Sequence, residues 1–330
     1  MADPLLAGHS PDLVAAAERT ELCGGDGMCE FESRTRLLTL SIACVEDLRR
    51  SGVRSGKGPE GFCSDFQICL PYRGIFVWHV GGDDVVGDAN QVVACRPGES
   101  FRMSGPLRDG YAEMIITPDL EVLSELANVH GQPLGDHRLF TRRAWLAGPR
   151  LQHLRTRFLH WACGSSPVDA LETAELVLGL LRSALDDGEG RRQPHAPSTA
   201  RLIRRTKECL EGRLSDPVRL VDVARDVGAS PAYLTDLFRR VEGVSLHRYL
   251  THLRLARALV DLPHAADLTA LALNLGFSSH SHFSSVFRRA FGSTPSQFRE
   301  STRRDWFAAL KDVPPTASAR THRLGAPHRP

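Results

Sequence analysis

The chain changes its hydrophobic rhythm twice. From about Arg34 to Thr117, short apolar segments rich in β-branched and aromatic residues alternate with Gly, Pro and Asp clusters. Arg36–Val45, Phe62–Leu70, Gly74–Val80, Gln91–Cys95 and Tyr111–Thr117 read as strands. Pro71-Tyr72-Arg73-Gly74, Gly81-Gly82-Asp83-Asp84, Gly87-Asp88 and Arg96-Pro97-Gly98-Glu99 read as the turns between them. Many short strands with tight turns predict a small barrel or sandwich. The rhythm then becomes helical, first over Asp119–His130 and firmly from Pro149. Leu171, Ala174, Leu178, Leu181 and Leu185 recur at alternating spacings of three and four. They form an apolar seam that suits either a helix of a homodimer through 150–185 or one packed on its own barrel.

The seam ends in Asp186–Ser198 (DDGEGRRQPHAPS), which is charged, apolar-poor and broken by Gly and Pro, and reads as a linker. The expected division is a flexible lead-in over 1–33, with one short helix around Pro11–Arg19. A sheet body over 34–185, the linker at 186–198, a helical domain over 199–300 and a flexible basic tail over 301–330 follow.

Residues 218–300 contain an internal repeat. The first copy is LVDVARDVGASPAYLTDLFRRVEGVS and the second is LTALALNLGFSSHSHFSSVFRRAFGST. Ala224 matches Ala272 and Gly228 matches Gly276. After one extra residue, Leu234 and Phe238 match Phe283 and Phe287, Arg239-Arg240 match Arg288-Arg289, and Gly243 matches Gly292. Each copy has the logic of helix-turn-helix. A short first helix ends in a Gly that permits positive φ. An N-cap serine follows, Ser230 in one copy and Ser278 or Ser279 in the other, and opens a second helix. That helix has one apolar face, Leu234/Leu237/Phe238 or Phe283/Val286/Phe287. Its other face is narrow and polar enough to enter a major groove. Between the copies, Ser245–Leu262 reads as a long amphipathic helix. As a rigid spacer it holds the two reading helices about 34 Å apart, one turn of duplex.

This region resembles the AraC/XylS family of bacterial transcription regulators. The resemblance rests on Gly276-Phe277, Phe283, Phe287-Arg288-Arg289, Phe291-Gly292, Thr294-Pro295 and Phe298-Arg299. In the first half it rests on Leu220, Ala224, Gly228, Leu234, Phe238, Gly243-Val244-Ser245, Tyr249 and Leu253-Arg254. It implies a seven-helix domain that binds double-stranded promoter DNA, controls transcription and meets RNA polymerase. It places base-edge contacts at Ala232, Thr235 and Asp236, and at His280, Ser281, Ser284 and Ser285. Ser230, Arg239, Arg240, Arg254, Ser278, His282, Arg288 and Arg289 are the expected phosphate contacts, which position without specifying. The base readers are short, which shifts the expectation from bidentate guanine contacts to methyl contacts, cytosine contacts and shape readout.

The segment 69–106 is similar to the sensory half of such proteins, a cupin-like β-barrel. The expected fold class is therefore α+β: a cupin-like barrel with trailing helices, then an all-α double helix-turn-helix domain. Phe76, Trp78, Val93 and Phe101 are the candidate lining of a small-molecule effector pocket. Cupin enzymes cluster His and Glu around a metal, whereas His79 stands nearly alone here. No metal, cofactor or enzymatic activity is expected. The alternatives are a cupin-type metalloenzyme tethered to a DNA-binding domain, and a constitutive DNA-binding protein whose barrel only dimerises.

Charge sharpens the division. The net charge of +2 combines +9 from Thr199 onward, with 21 basic and 12 acidic side chains, and −7 before it. A basic third on an acidic remainder suits a polyanion-binding module. The longest stretch without Asp, Glu, Lys or Arg, Leu268–Phe287, is too polar for a membrane. The N-terminus has no basic region followed by an apolar core, so a cytoplasmic location is expected. Eight cysteines are scattered too widely for a disulfide framework and are expected as mostly buried thiols; Cys69 and Cys95, on neighbouring strands, are a candidate pair whose oxidation would lock the barrel.

Overall fold

The computed structural model describes residues 17–23, 29–52, 56–129, 142–162, 170–186 and 196–304. The part before Asp186 is sheet-rich and the part after Ala196 is helical. Its strands are β1 (Ala17–Cys23), β2 (Cys29–Leu40), β3 (Ala43–Ser51), β4 (Glu60–Phe62), β5 (Gln67–Val80), β6 (Asp83–Asp88), β7 (Gln91–Cys95), β8 (Ser100–Ser104), β9 (Tyr111–Pro118) and β10 (Ala144–Leu146). They pair in the order β1-β2-β3-β9-β5-β7-β10, with β6 and β8 on the far half of β5 and β4 on β8. Among the described residues the ends of this path do not pair, so the sheet is folded over but not closed as a barrel.

Strand β5 makes the fold. Its first half pairs with β9 and β7, and its second half pairs with β6 and β8. The register shifts between Pro71 and Arg73, because proline has no N–H for a regular ladder and settles at a bulge. Phe62–Leu70 and Gly74–Val80, expected as two strands around a turn, are thus β4 plus one bent strand. Arg36–Val45, expected as one strand, is instead the hairpin of β2 and β3, turning at Ser41-Ile42. That turn lacks Gly, Pro and Asn and so carries no signal. The expected helix around Pro11–Arg19 is also corrected: residues 17–19 belong to β1, and 11–16 lie outside the described residues. The lead-in expected over 1–33 accordingly contains β1 and the start of β2, which pair antiparallel.

One sheet face is covered by α1 (Leu120–Val129), α2 (Pro149–Ala162) and α3 (Ala170–Asp186). Ile68, Leu70, Met114 and Ile116 pack there on Leu123, Leu151, Phe158, Val177, Leu180 and Leu181. Of the seam expected on α3, Leu181 and Leu185 are buried in this core and Leu178 packs against it, while Leu171 is exposed. The seam therefore follows the second of its two readings, packing on its own sheet.

Residues 196–304 form seven α-helices: α4 (Pro197–Glu211), α5 (Leu220–Val227), α6 (Pro231–Glu242), α7 (Leu246–Asp261), α8 (Leu268–Asn274), α9 (His280–Phe291) and α10 (Pro295–Arg304). The expected tail loses 301–304 to α10, and its remainder lies outside the described residues. Helix α7 is buried on more faces than one stripe would require. Tyr249, Leu250, Leu253 and Ala256 join the core of α4, α5 and α6. Leu255, Ala258 and Leu259 join that of α8, α9 and α10. Among the described residues no helix is long and apolar enough to cross a membrane.

Candidate nucleic-acid interface and ligand cavity

The two helix-turn-helix units are built alike. Gly228 ends α5 at φ 75°, and Gly276 follows α8 at φ 74°, where a side chain would cost roughly 1–2 kcal/mol. Ser230 caps α6, its Oγ accepting from Tyr233 N–H, and Pro231 occupies the first turn. Ser279, not Ser278, caps α9 by accepting from His282 N–H at 3.1 Å. Ser278 Oγ instead lies 3.0 Å from His282 Nδ1.

Each second helix buries its apolar face, Leu234/Leu237/Phe238 in α6 and Phe283/Phe287/Phe291 in α9. Val286, expected on the buried face, is only partly covered. The opposite faces stay open. Ala232, Asp236, Ser281 and Ser285 are exposed, and Thr235, His280 and Ser284 are half-buried. Two of these hydroxyls are engaged within their helix: Thr235 donates to Pro231 O at 2.9 Å, and Ser284 Oγ lies 3.4 Å from His280 Nε2. Thr235 thus presents its methyl more readily than its O–H. Tyr233 was missed by the sequence reading. It is 55% exposed at the start of α6, off the buried face, and its only signal was that mismatch with the apolar spacing.

Arg239, Arg240, Arg288 and Arg289 are exposed on the last turns of α6 and α9. There the helix dipole also favours cations. Arg254 is a correction. Expected as a phosphate contact, it is turned inward and donates to three carbonyls: Leu214 at 2.9 Å, Gly276 at 2.9 Å and Asp216 at 2.7 Å. Burial lowers its pKa, and its role is to tie the start of the first unit to the turn of the second.

Sequence comparison agrees with this architecture. A helix-turn-helix domain family matches residues 223–301. The regulatory protein SoxS of Salmonella typhimurium is 34% identical over 103 residues, which cover 31% of this chain and 96% of SoxS. This chain belongs to the AraC family. The regulatory protein PocR of the same organism is 33% identical over 108 residues, 32% of this chain and 34% of PocR, so the match spans about a third of that relative. A solved AraC-type regulator from Chromobacterium violaceum is 31% identical, covering 31% of this chain and 93% of that one, with a TM-score of 0.30. The relatives are transcription regulators, and no enzyme family is indicated.

The AraC-family matches centre on the helical part, and the sheet adds two further features. The first is a cavity of about 210 Å³ between the folded halves of the sheet. Phe76, Trp78, Val93 and Phe101 all line it. Phe76 packs on Tyr111 with ring centroids 4.9 Å apart, and Trp78 meets Phe101 edge-on at 5.1 Å. The opposite wall is charged, which the sequence reading did not foresee. Glu32 and Arg34 on β2, Arg50 on β3 and Glu113 on β9 face inward there. Arg34 donates to Glu46 at 2.7 Å, and Arg50 pairs with Glu32. Glu113 is 3% exposed, and burial pushes its carboxyl up to about 7 against the opposing pull of Arg50 and Arg34 and the hydrogen bond with the Cys69 thiol. Cys69 is itself pushed well up by burial and by Glu113. Cys95 does not face Cys69 as expected: it forms a disulfide with Cys63. The segment after β4 is drawn across by Cys63 N–H to Glu99 O and Gly98 N–H to Cys63 O, which brings residue 63 to Cys95 at the end of β7, while Cys69 pairs with Val93. His79 is held between Asp84 at Nδ1 and Ser104 at Nε2.

The second feature is a buried polar clasp where the β6–β7 turn enters the first helix-turn-helix unit. Tyr249 O–H donates to Asp88 at 2.5 Å, Asn90 Nδ2 donates to the Tyr249 carbonyl at 2.9 Å, and Gln91 reaches Tyr249 Oη and Glu242 at 3.3 Å. Lys207 on α4 pairs with Glu242 at 3.0 Å. Burial raises the Asp88 carboxyl, opposed by Lys207 and its hydrogen bonds from Tyr249 and Asn90. On the other side, α2 presents His153 to the second unit, its ring 5.9 Å from Phe291 and 5.1 Å from Phe298.

Proposed function

We propose that this AraC-family chain is a sequence-specific promoter-binding regulator whose α6 and α9 enter successive major grooves. The observation that carries this reading is the pair of serine-capped helices with open polar faces, both rooted in one connector, α7. Ser281, Ser285, Ala232 and Asp236 read base edges, with the half-buried Thr235, His280 and Ser284 beside them. Arg239, Arg240, Arg288 and Arg289, with Ser230, Ser278 and His282, hold phosphates. The short readers favour methyl and shape recognition. The sheet cavity receives a small-molecule effector against Phe76, Trp78, Val93 and Phe101, and the clasp at Asp88, Asn90 and Tyr249 passes its occupancy to the first unit. RNA polymerase is the downstream partner.

Fluorescence anisotropy on the full chain tests the reading. The duplex upstream of its own gene is expected to bind at least about 10³-fold more tightly than a random duplex at physiological salt. Equal affinity for both overturns it.

A further inference from the structure

We infer that the ligand of the sheet cavity is a primary ammonium compound with one aromatic ring on a short arm, its ammonium paired with Glu113. This rests on the reading of the cavity as the effector site and names the chemistry it selects.

Size comes first. A dry cavity of about 150 Å³ accepts benzene, so about 210 Å³ accommodates one ring and a short arm. Phe76, Trp78 and Phe101 supply an aromatic wall for that ring. The polar wall then selects the head group. The guanidinium of Arg34 is held by Glu46 and that of Arg50 by Glu32, so both cations already have carboxylates. Glu113 is the group left over. It is buried, it lines the cavity, and its Oε2 has no hydrogen-bond partner among the described residues; the Cys69 thiol donates to its carboxyl, and Arg50 and Arg34 act on it through their charge. An ionised carboxylate only accepts, so the missing partner is a donor, and in a dry site a charged donor is the strongest kind. An ammonium also gains from the faces of neighbouring aromatic rings.

The pairing has a proton cost that can be measured. Around neutrality the empty site holds Glu113 partly protonated, because burial outweighs Arg50 and Arg34. Binding the ammonium requires the carboxylate, so the Glu113 proton leaves to solvent and the cation takes its place.

Titration calorimetry on the full chain uses three isosteric probes: 2-phenylethylamine, 2-phenylethanol and phenylacetate. The amine is expected to bind most tightly and to gain roughly tenfold in affinity from about pH 6 to about pH 8, as a site titrating near neutrality requires. Its heat is expected to vary with the ionisation enthalpy of the buffer, which reports the released proton. Glu113→Gln is expected to weaken the amine by about tenfold or more, to leave the alcohol within about threefold, and to abolish the pH dependence. The pH and buffer series on the unaltered chain stand by themselves if that variant does not fold. Tighter binding of phenylacetate, equal binding of the alcohol, or a pH-independent amine overturns the ammonium assignment while leaving the cavity a ligand site. Binding of none of the three overturns the assignment, while the effector reading is overturned separately if Phe76 and Trp78 substitutions and small-molecule additions leave promoter affinity unchanged.

Discussion

On α9, Arg288 and Ser281 illustrate two kinds of contact offered by one helix. Arg288 is exposed on the last turn, and the contact proposed for it is to phosphate, which carries no sequence information. Arg288→Ala is expected to weaken binding similarly on all duplexes and to lower the slope of log affinity against log salt by about one. Ser281 is exposed on the first turn, facing away from Phe283 and Phe287. Ser281→Ala is expected to change preference at a single base position by about 1 kcal/mol while leaving the salt slope in place. A binding-site selection run beside a salt titration separates the two outcomes, and a shared phenotype refutes the division of roles. Most of these positions were legible because the repeat fixes which side of each helix is apolar. Arg254 was not: a lone arginine on an amphipathic helix carries no mark distinguishing a solvent-facing guanidinium from one that collects carbonyls of a distant turn. Glu113 was hidden for a related reason. Inside Tyr111–Thr117 it reads as the polar member of an alternating strand, and only the folding-over of the sheet turns that face inward.

At the scale of elements, the two turns look equivalent in sequence and differ in surroundings. A Cβ at Gly228 meets nothing within 4 Å, whereas one at Gly276 comes within 2.5 Å of the Arg254 guanidinium and 2.8 Å of the Leu214 carbonyl. Gly228→Ala is expected to cost about 1–2 kcal/mol, the price of left-handed backbone alone. Gly276→Ala is expected to cost about 3 kcal/mol or more, since Arg254 must also give up hydrogen bonds to carbonyls. Urea denaturation of the two variants measures the difference, and equal losses contradict the bracing role of Arg254. Helices were legible where spacing, cap and terminal glycine coincide, as in α6 and α9. Strands were legible where turn residues bound them, as in β7 and β9. The β2–β3 turn at Ser41-Ile42 lacks such residues. In β6 the reverse holds, because its glycine and aspartates look like a turn while Val85 packs in the core.

At the scale of the molecule, the sheet-rich part grips both helix-turn-helix units, one through the polar clasp and the other through His153. Burial, with repulsion from Arg157, pushes the His153 imidazole down to about 3. A base held neutral in the fold contributes stability that is present above its ordinary value near 6.5 and is lost as pH falls from there toward about 3. The chain is expected to lose on the order of 3 kcal/mol from this group between about pH 6.5 and pH 4. His153→Leu is expected to lack that loss. Glu113 and Glu211, raised to about 7 and about 8, act in the opposite sense, favouring the fold in acid and losing that contribution as pH rises, so the comparison is made between the two proteins at each pH. Chemical denaturation across the series that gives parallel curves for both sinks the assignment. The docking itself was illegible in the sequence, since Gln152, His153 and Arg155 read as the outer polar side of α2 and are all buried. Strand β7 then has a mechanical meaning. Gln91, Val93 and Cys95 share one face; the first touches Tyr249, and the other two wall the cavity. Two residues of extended chain, about 7 Å, are all that separate the cavity wall from the contact with Tyr249, so under the proposed effector reading a rigid rod rather than a relay of side chains would set how far a push at one end travels to the other.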